Sequence, residues 1–139
     1  MTYKELDYNK KKEMIISGDD VRFLAEIGFL GLTEGMFDIS QKIFNSLCEL
    51  RPEDSFAYIG IAMNKLLAGF PDQAIDILQK KLVSISTNKN EIMLYLAFCY
   101  ANNERINESR NIIYQLLNLK DLSTSQVRFA KAVLKNCTN

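Results

Sequence analysis

Apolar residues recur at three- and four-residue intervals along most of this chain, in stretches separated by short polar turns. That spacing puts the apolar side chains on one face of a helix, which must then be buried against a neighbour. It predicts helices over about 21–34, 38–50, 54–68, 71–83, 90–102 and 107–119. A leading helix is expected over 2–17 and a last helix over about 123–136. Start and stop signals fit these limits. Thr2 with Glu5 and Ser123 with Gln126 have the spacing of capping boxes, and Asn88 with Glu91 offers a further cap. Gly18 reads as the stop of the leading helix, and Pro71 suits a first helical turn. The pairs Asp19–Asp20 and Glu53–Asp54 precede helices, where carboxylates favour the positive end of the helix dipole. No alternating strand pattern, low-complexity tract or interdomain linker interrupts the chain, so residues 1–139 read as one all-α domain.

The predicted helices come in pairs, and the pairs repeat. Val21 and Ser55 are 34 residues apart, and Ser55 and Asn90 are 35 apart. A period near 34 is the tetratricopeptide signature, a helical hairpin that stacks on its neighbours because it cannot bury its apolar face alone. The repeats run 21–54, 55–89 and 90–122, preceded by 2–17 and closed by a capping helix at 123–136 that turns Val127, Ala130, Val133 and Leu134 inward. Small residues recur where paired helices should touch most closely: Gly28, Ala62 and Ala97, then Ser40, Ala74 and Ser109. Large ones recur between them, including Leu24, Phe44 and Leu47 in the first repeat, Tyr58 and Leu78 in the second, and Met93, Ile113 and Leu116 in the third. Glu104 departs from the pattern, standing where the first two repeats have Gly35 and Gly69. No proline closes the second or third repeat, as Pro52 closes the first.

Charge and composition exclude more than they assign. Seventeen basic and 17 acidic residues cancel, so no overall field draws the chain to nucleic acid or anionic lipid. The basic run Lys10–Lys12 reads as a solvated stretch of the leading helix. There is no histidine, no glycine-rich phosphate loop and no clustered metal-ligand set, so neither a catalytic centre nor a cofactor is expected. Cys48, Cys99 and Cys137 are far apart and in no CxxC arrangement, which suits free thiols in a reducing compartment. Lys4, Glu5 and Asp7 leave no apolar core for a signal peptide, and the longest apolar run, 92–101, is about half a membrane span. A cytosolic protein without membrane insertion is the expectation.

The inner wall of the array is where function is expected. The second, fifth, ninth and twelfth places of each first helix line that wall in a tetratricopeptide stack. Here they are Arg22, Ala25, Phe29 and Leu32, then Phe56, Ile59, Met63 and Leu66, then Glu91, Leu94, Phe98 and Ala101. Eight of them, Phe29, Leu32, Phe56, Ile59, Met63, Leu66, Leu94 and Phe98, form the predicted protein-binding groove. Left uncovered, such a strip would expose several hundred Å² of apolar surface, so it calls for an amphipathic helix or an extended apolar segment. The other readings are a core position covered by the chain's own end helices, and self-association as a homodimer. A clamp for acidic C-terminal tails is disfavoured, because Ala25, Phe29, Ile59 and Met63 stand where such a clamp needs basic and amide groups.

The stretch from Leu24 to Leu78, with its IGFLGL helix, GMFD turn, LCELRPED close and AGFPDQAI opening, resembles the tetratricopeptide chaperones of bacterial type III secretion. It looks most like the needle-subunit chaperones and related Hrp-type proteins, while FNSLCELRPEDS is similar to the translocator chaperones as well. The first resemblance implies a cytoplasmic chaperone that holds the amphipathic helix of a needle subunit against premature polymerisation, with a small helical co-chaperone. The second implies a secreted translocator as client. A structural scaffold of the export apparatus is the remaining alternative.

Overall fold

The computed structural model describes residues 17–138. The helix expected over 2–17, with its Thr2–Glu5 box and the Lys10–Lys12 run, lies outside the described residues except for Ser17. Seven helices follow: α1 Gly18–Thr33, α2 Phe37–Leu50, α3 Ser55–Leu67, α4 Pro71–Ser84, α5 Lys89–Ala101, α6 Ile106–Leu117 and α7 Thr124–Thr138. No strand occurs among the described residues. Helices α1 to α6 form three antiparallel pairs, each packed on the next, and α7 packs on α6 and α5. No helix among the described residues is long and apolar enough to cross a membrane.

Gly18 opens a helix; it does not close one. Ser17 is the N-cap of α1, its hydroxyl accepting from the Asp20 amide at 3.2 Å while the Asp20 carboxylate accepts from the Ser17 amide at 3.2 Å. This reciprocal box satisfies two otherwise orphaned donors and outweighs the tendency of glycine to end a helix. The box at Ser123 and Gln126 forms as expected, with amide-to-side-chain bonds of 3.1 and 3.0 Å. Asn88 and Asp54 stand at the N-caps of α5 and α3 without a side-chain cap bond. Asn88 instead takes the left-handed turn, at φ 59°, which asparagine tolerates better than most residues.

The turns inside the three hairpins share one backbone. Gly35 and Gly69 sit at φ 73° and 96°, and Glu104 holds the equivalent place at φ 60°. Glycine reaches this region without strain and glutamate does not. The third repeat therefore keeps the shape of the other two against its own residue preference.

The hairpins close where small residues meet. Ser40, Ala62, Ala74, Ala97 and Ser109 are fully buried, and the Ser109 hydroxyl donates to the Ala97 carbonyl at 2.8 Å across α5 and α6. The tightest point is Phe44 on α2, also fully buried. A Cβ added to Gly28 on α1 would lie 2.7 Å from its ring, and one added to Gly60 on α3 only 2.2 Å. The ring thus fills the space that two missing side chains leave, and it pins α1 to α3 through α2. From there the core continues through Leu78, Ile92, Leu96 and Cys99. A second cluster of Leu94, Ala97, Ile113 and Leu116 is sealed by Ala130 and Val133 of α7. Val127 and Leu134 are half-buried beside them. The Arg110 guanidinium donates to the Cys137 carbonyl at 2.6 Å and holds the end of α7 down. At the opposite end Phe23, Leu30 and Ile39 are exposed.

Two stability measurements test this packing. Gly60→Ala should cost about 2 kcal/mol or more in urea unfolding, since the Phe44 ring must be displaced. Combined with Phe44→Leu, its cost should be markedly less than additive; strict additivity would show that the ring does not sit against Gly60. Glu104→Gly should instead stabilise by roughly 0.5–1 kcal/mol and raise Tm by about 2–5 °C. An unchanged or lower Tm would contradict the left-handed turn.

Candidate functional site

The first helix of each pair (α1, α3 and α5) presents the inner wall, and these helices also pack against one another. That lateral packing sorts the eight predicted groove residues into two sets. Leu32, Ile59, Met63 and Leu94 are buried, with Ile59 and Leu94 each only 1% exposed. Phe29, Leu66 and Phe98 are half-buried, and Phe56 is 54% exposed. The fifth place of the helix (Ala25, Ile59, Leu94) is buried in all three repeats. The expectation of one continuous exposed strip is therefore replaced by an accessible set lying over a buried one.

The wall is shut at its C-terminal end. Phe129 of α7 packs on Tyr95 and Phe98 with ring centroids 5.1 and 5.9 Å apart. The Gln126 amide donates to Glu91 at 3.0 Å on the same side, and Leu94 lies in one cluster with Ala130 and Val133. Burial pushes the Tyr95 hydroxyl pKa up, and nearby Glu91 adds to the effect. The capping helix thus takes up much of the apolar surface that the third repeat was expected to offer.

At the N-terminal end the wall opens into a cavity of about 580 Å³ between α1 and α3, with the last turn of α2 as its base. Its apolar lining comes from Val21, Ala25 and Phe29 of α1, Leu47 of α2, and Phe56 and Ala57 of α3. Arg22, Glu26, Arg51 and Asp54 supply the charged groups around it. Phe29 is fixed from behind by an edge-on contact with Phe44, 4.9 Å between centroids. The small side chains of Ala25 and Ala57 leave the hollow, and the two phenylalanines give it aromatic walls. A volume of this size lies within the roughly 300–1,000 Å³ typical of sites that enclose a small ligand or several side chains.

Arg22, Ala25, Phe29 and Phe56 were legible as inner-wall residues in the sequence; Val21, Leu47, Arg51, Asp54 and Ala57 were not assigned to the site. Leu47 and Asp54 carry packing and capping signals that hide their second role. Nothing short of the α1–α3 spacing shows that the end of α2 reaches the wall.

No group of three or more potential metal ligands gathers among the described residues. The cysteines are free, with Cys99 and Cys137 buried and Cys48 half-buried. Burial pushes the thiol of Cys48 up to about 11 and that of Cys99 up to about 12, away from the thiolate that a nucleophile requires.

Comparison with solved structures agrees with this architecture. The chain is similar to PcrH from Pseudomonas aeruginosa, at a TM-score of 0.67 and 22% identity, covering 89% of this chain and 96% of that one. It is similar to PcrH in complex with the chaperone binding region of PopD, at 0.65 and 22%, covering 88% and 94%. The type III secretion translocator chaperone SycD of Yersinia enterocolitica follows at 0.62 and 20%, covering 88% and 86%. No family model and no curated protein matches the sequence. The chain has the all-α, tetratricopeptide-like fold of these proteins.

The thiol environments give a direct check. Alkylation near pH 7.5 should run roughly a hundredfold slower than in the unfolded chain at Cys48 and slower still at Cys99, and should quicken at both as pH rises. Equal rates in folded and unfolded protein would mean that burial does not suppress either thiolate.

Proposed function

We propose that this protein is a non-enzymatic chaperone of bacterial type III secretion. It holds an extended apolar segment of a secreted translocator in the cavity between α1 and α3, in the cytoplasm, before export. The observation that carries the reading is the Phe29–Phe56 cavity, an aromatic-walled hollow on the inner face. Phe56 is the most exposed of the eight predicted groove residues that carry a large apolar side chain. Its ring walls the cavity together with Phe29, the place where a client's central apolar anchor would seat.

The client favoured here differs from the one preferred on sequence resemblance. An amphipathic needle helix, about 10–12 Å across with its side chains, needs a continuous bed along all three repeats. Ile59, Met63 and Leu94 are buried and α7 occupies the third repeat's side, so the accessible wall is short. It fits an extended segment with one or two large side chains. The similar structures of PcrH with the chaperone binding regions of PopD and PopB support a translocator client on independent grounds. The small helical co-chaperone belongs to the needle reading and is not required by this one.

Co-expression with candidate translocators and needle subunits, followed by copurification, tests the assignment. A translocator should copurify and a needle subunit should not; the reverse result would reinstate the needle client. Phe56→Ala should weaken the captured complex by roughly 30-fold or more, the effect of losing a central anchor of about 2 kcal/mol, while leaving folding stability nearly unchanged. Ile59→Ala should do the opposite, lowering stability by about 2–4 kcal/mol. Unaltered client binding by the Phe56 variant would move the binding site elsewhere.

A further inference from the structure

The first turn of α1 is part of the cavity wall. Gly18, Val21 and Arg22 line the hollow on one side, and Phe56 and Ala57 from the first turn of α3 line it on the other. The chain that precedes α1 therefore arrives at the mouth of the site. Its entry is set by the Ser17 cap, extended at φ −82° and ψ 167° and closed by the two bonds with Asp20. At a start capped in this way, an apolar residue before the cap packs on an apolar fourth residue of the helix, the hydrophobic staple. Here those residues are Ile16 and Val21, and Val21 lines the cavity. Met14 and Ile15 extend the apolar run backwards, and Lys12 and Glu13 end it. At about 3.5 Å per residue the run reaches some 10 Å from Ser17, close to the rise of about 10 Å from Gly18 to Ala25 along α1. The exposed outer face of α1, with Phe23 and Leu30, lies about 200° round the helix from Val21, out of line with that entry.

We infer that Met14, Ile15 and Ile16 of this same chain occupy the mouth of the cavity when no client is bound, Ile16 against Val21 and the two residues before it against Phe56. The segment is a built-in competitor that a client must displace. This rests on the proposed chaperone role and deepens it by naming how the site is regulated. A competitor joined to the site divides a client's affinity by the fraction of open molecules, so a cavity nine-tenths closed binds about tenfold more weakly. Weakly apolar chains are thereby refused, and the aromatic wall is kept from water between clients.

The chain contains no tryptophan, so Ile15→Trp in the full-length protein supplies a single fluorescent reporter on the segment. Its emission should lie to the blue of tryptophan in water, at every protein concentration. Adding Phe56→Ser or Val21→Ser, each checked for a retained thermal melt, should return it to the water value. A second arm titrates the apolar dye anilinonaphthalene sulfonate. The full-length variant M14S/I15S/I16S should bind the dye roughly three- to tenfold more tightly than wild type, and should lose that gain when Phe56→Ser is added. Water-like emission from position 15, or equal dye affinity in wild type and the serine variant, would overturn the inference. A blue shift that survives Phe56→Ser and vanishes with Leu30→Ser would put the segment on the outer face of α1. One that grows with protein concentration would assign it to a second copy. Either result overturns the inference and leaves the chaperone site standing; that reading fails separately, when no translocator copurifies.

Discussion

The ring of Phe44, held between two residues without side chains, sets the geometry on which the rest of the molecule depends. Gly28 and Gly60 come from different helical hairpins, and each would collide with the ring if it carried a Cβ. Their glycines let α1 and α3 approach the same side chain from two directions. The distance between those helices is thereby fixed, and that distance is also the width of the cavity above. Phe29 takes its orientation from the same ring, through an edge-on contact. A packing constraint between the first two repeats therefore reaches the cavity through one intervening side chain.

The inner wall shows two demands competing for the same apolar residues. Stacked hairpins must bury their faces to be stable, and a binding wall must leave some of them open. The fifth place of the first helix goes to stability in every repeat. At the C-terminal end α7 meets the remaining demand by covering Leu94 and packing Phe129 on Tyr95 and Phe98. Near α1 and α3 the wall is left unfilled, where Ala25 and Ala57 are too small to close it. The accessible aromatic surface of the wall lies at this end, beside Phe29 and Phe56.

Much of this was legible from spacing. The 34- and 35-residue offsets gave the hairpins, and the helices begin and end within about three residues of the expected limits. Glu104 stood out as a glutamate in a glycine's place, and its φ of 60° explains why. The Ser123–Gln126 box was visible because both partners lie within four residues. Gly18 was misread because Ser17 and Asp20 make an equally local signal of opposite meaning. The division of the eight wall residues was beyond sequence reasoning. Whether Ile59 or Phe56 is open depends on how close a neighbouring helix comes, and that is set by Gly60 and Phe44 acting together, outside the repeat's own period. The contribution of Leu47 and Arg51 to the site was hidden for the same reason.

The central claim is that the cavity beside Phe56 holds a secreted client inside the bacterial cell. In-cell photocrosslinking from a benzoylphenylalanine installed at position 56 tests it most directly, with position 83 on the outer surface, where Val83 is 88% exposed, as the control. The account predicts a covalent adduct with a translocator from position 56 and none from position 83. An adduct from both positions, or from neither while the client still copurifies, would contradict it.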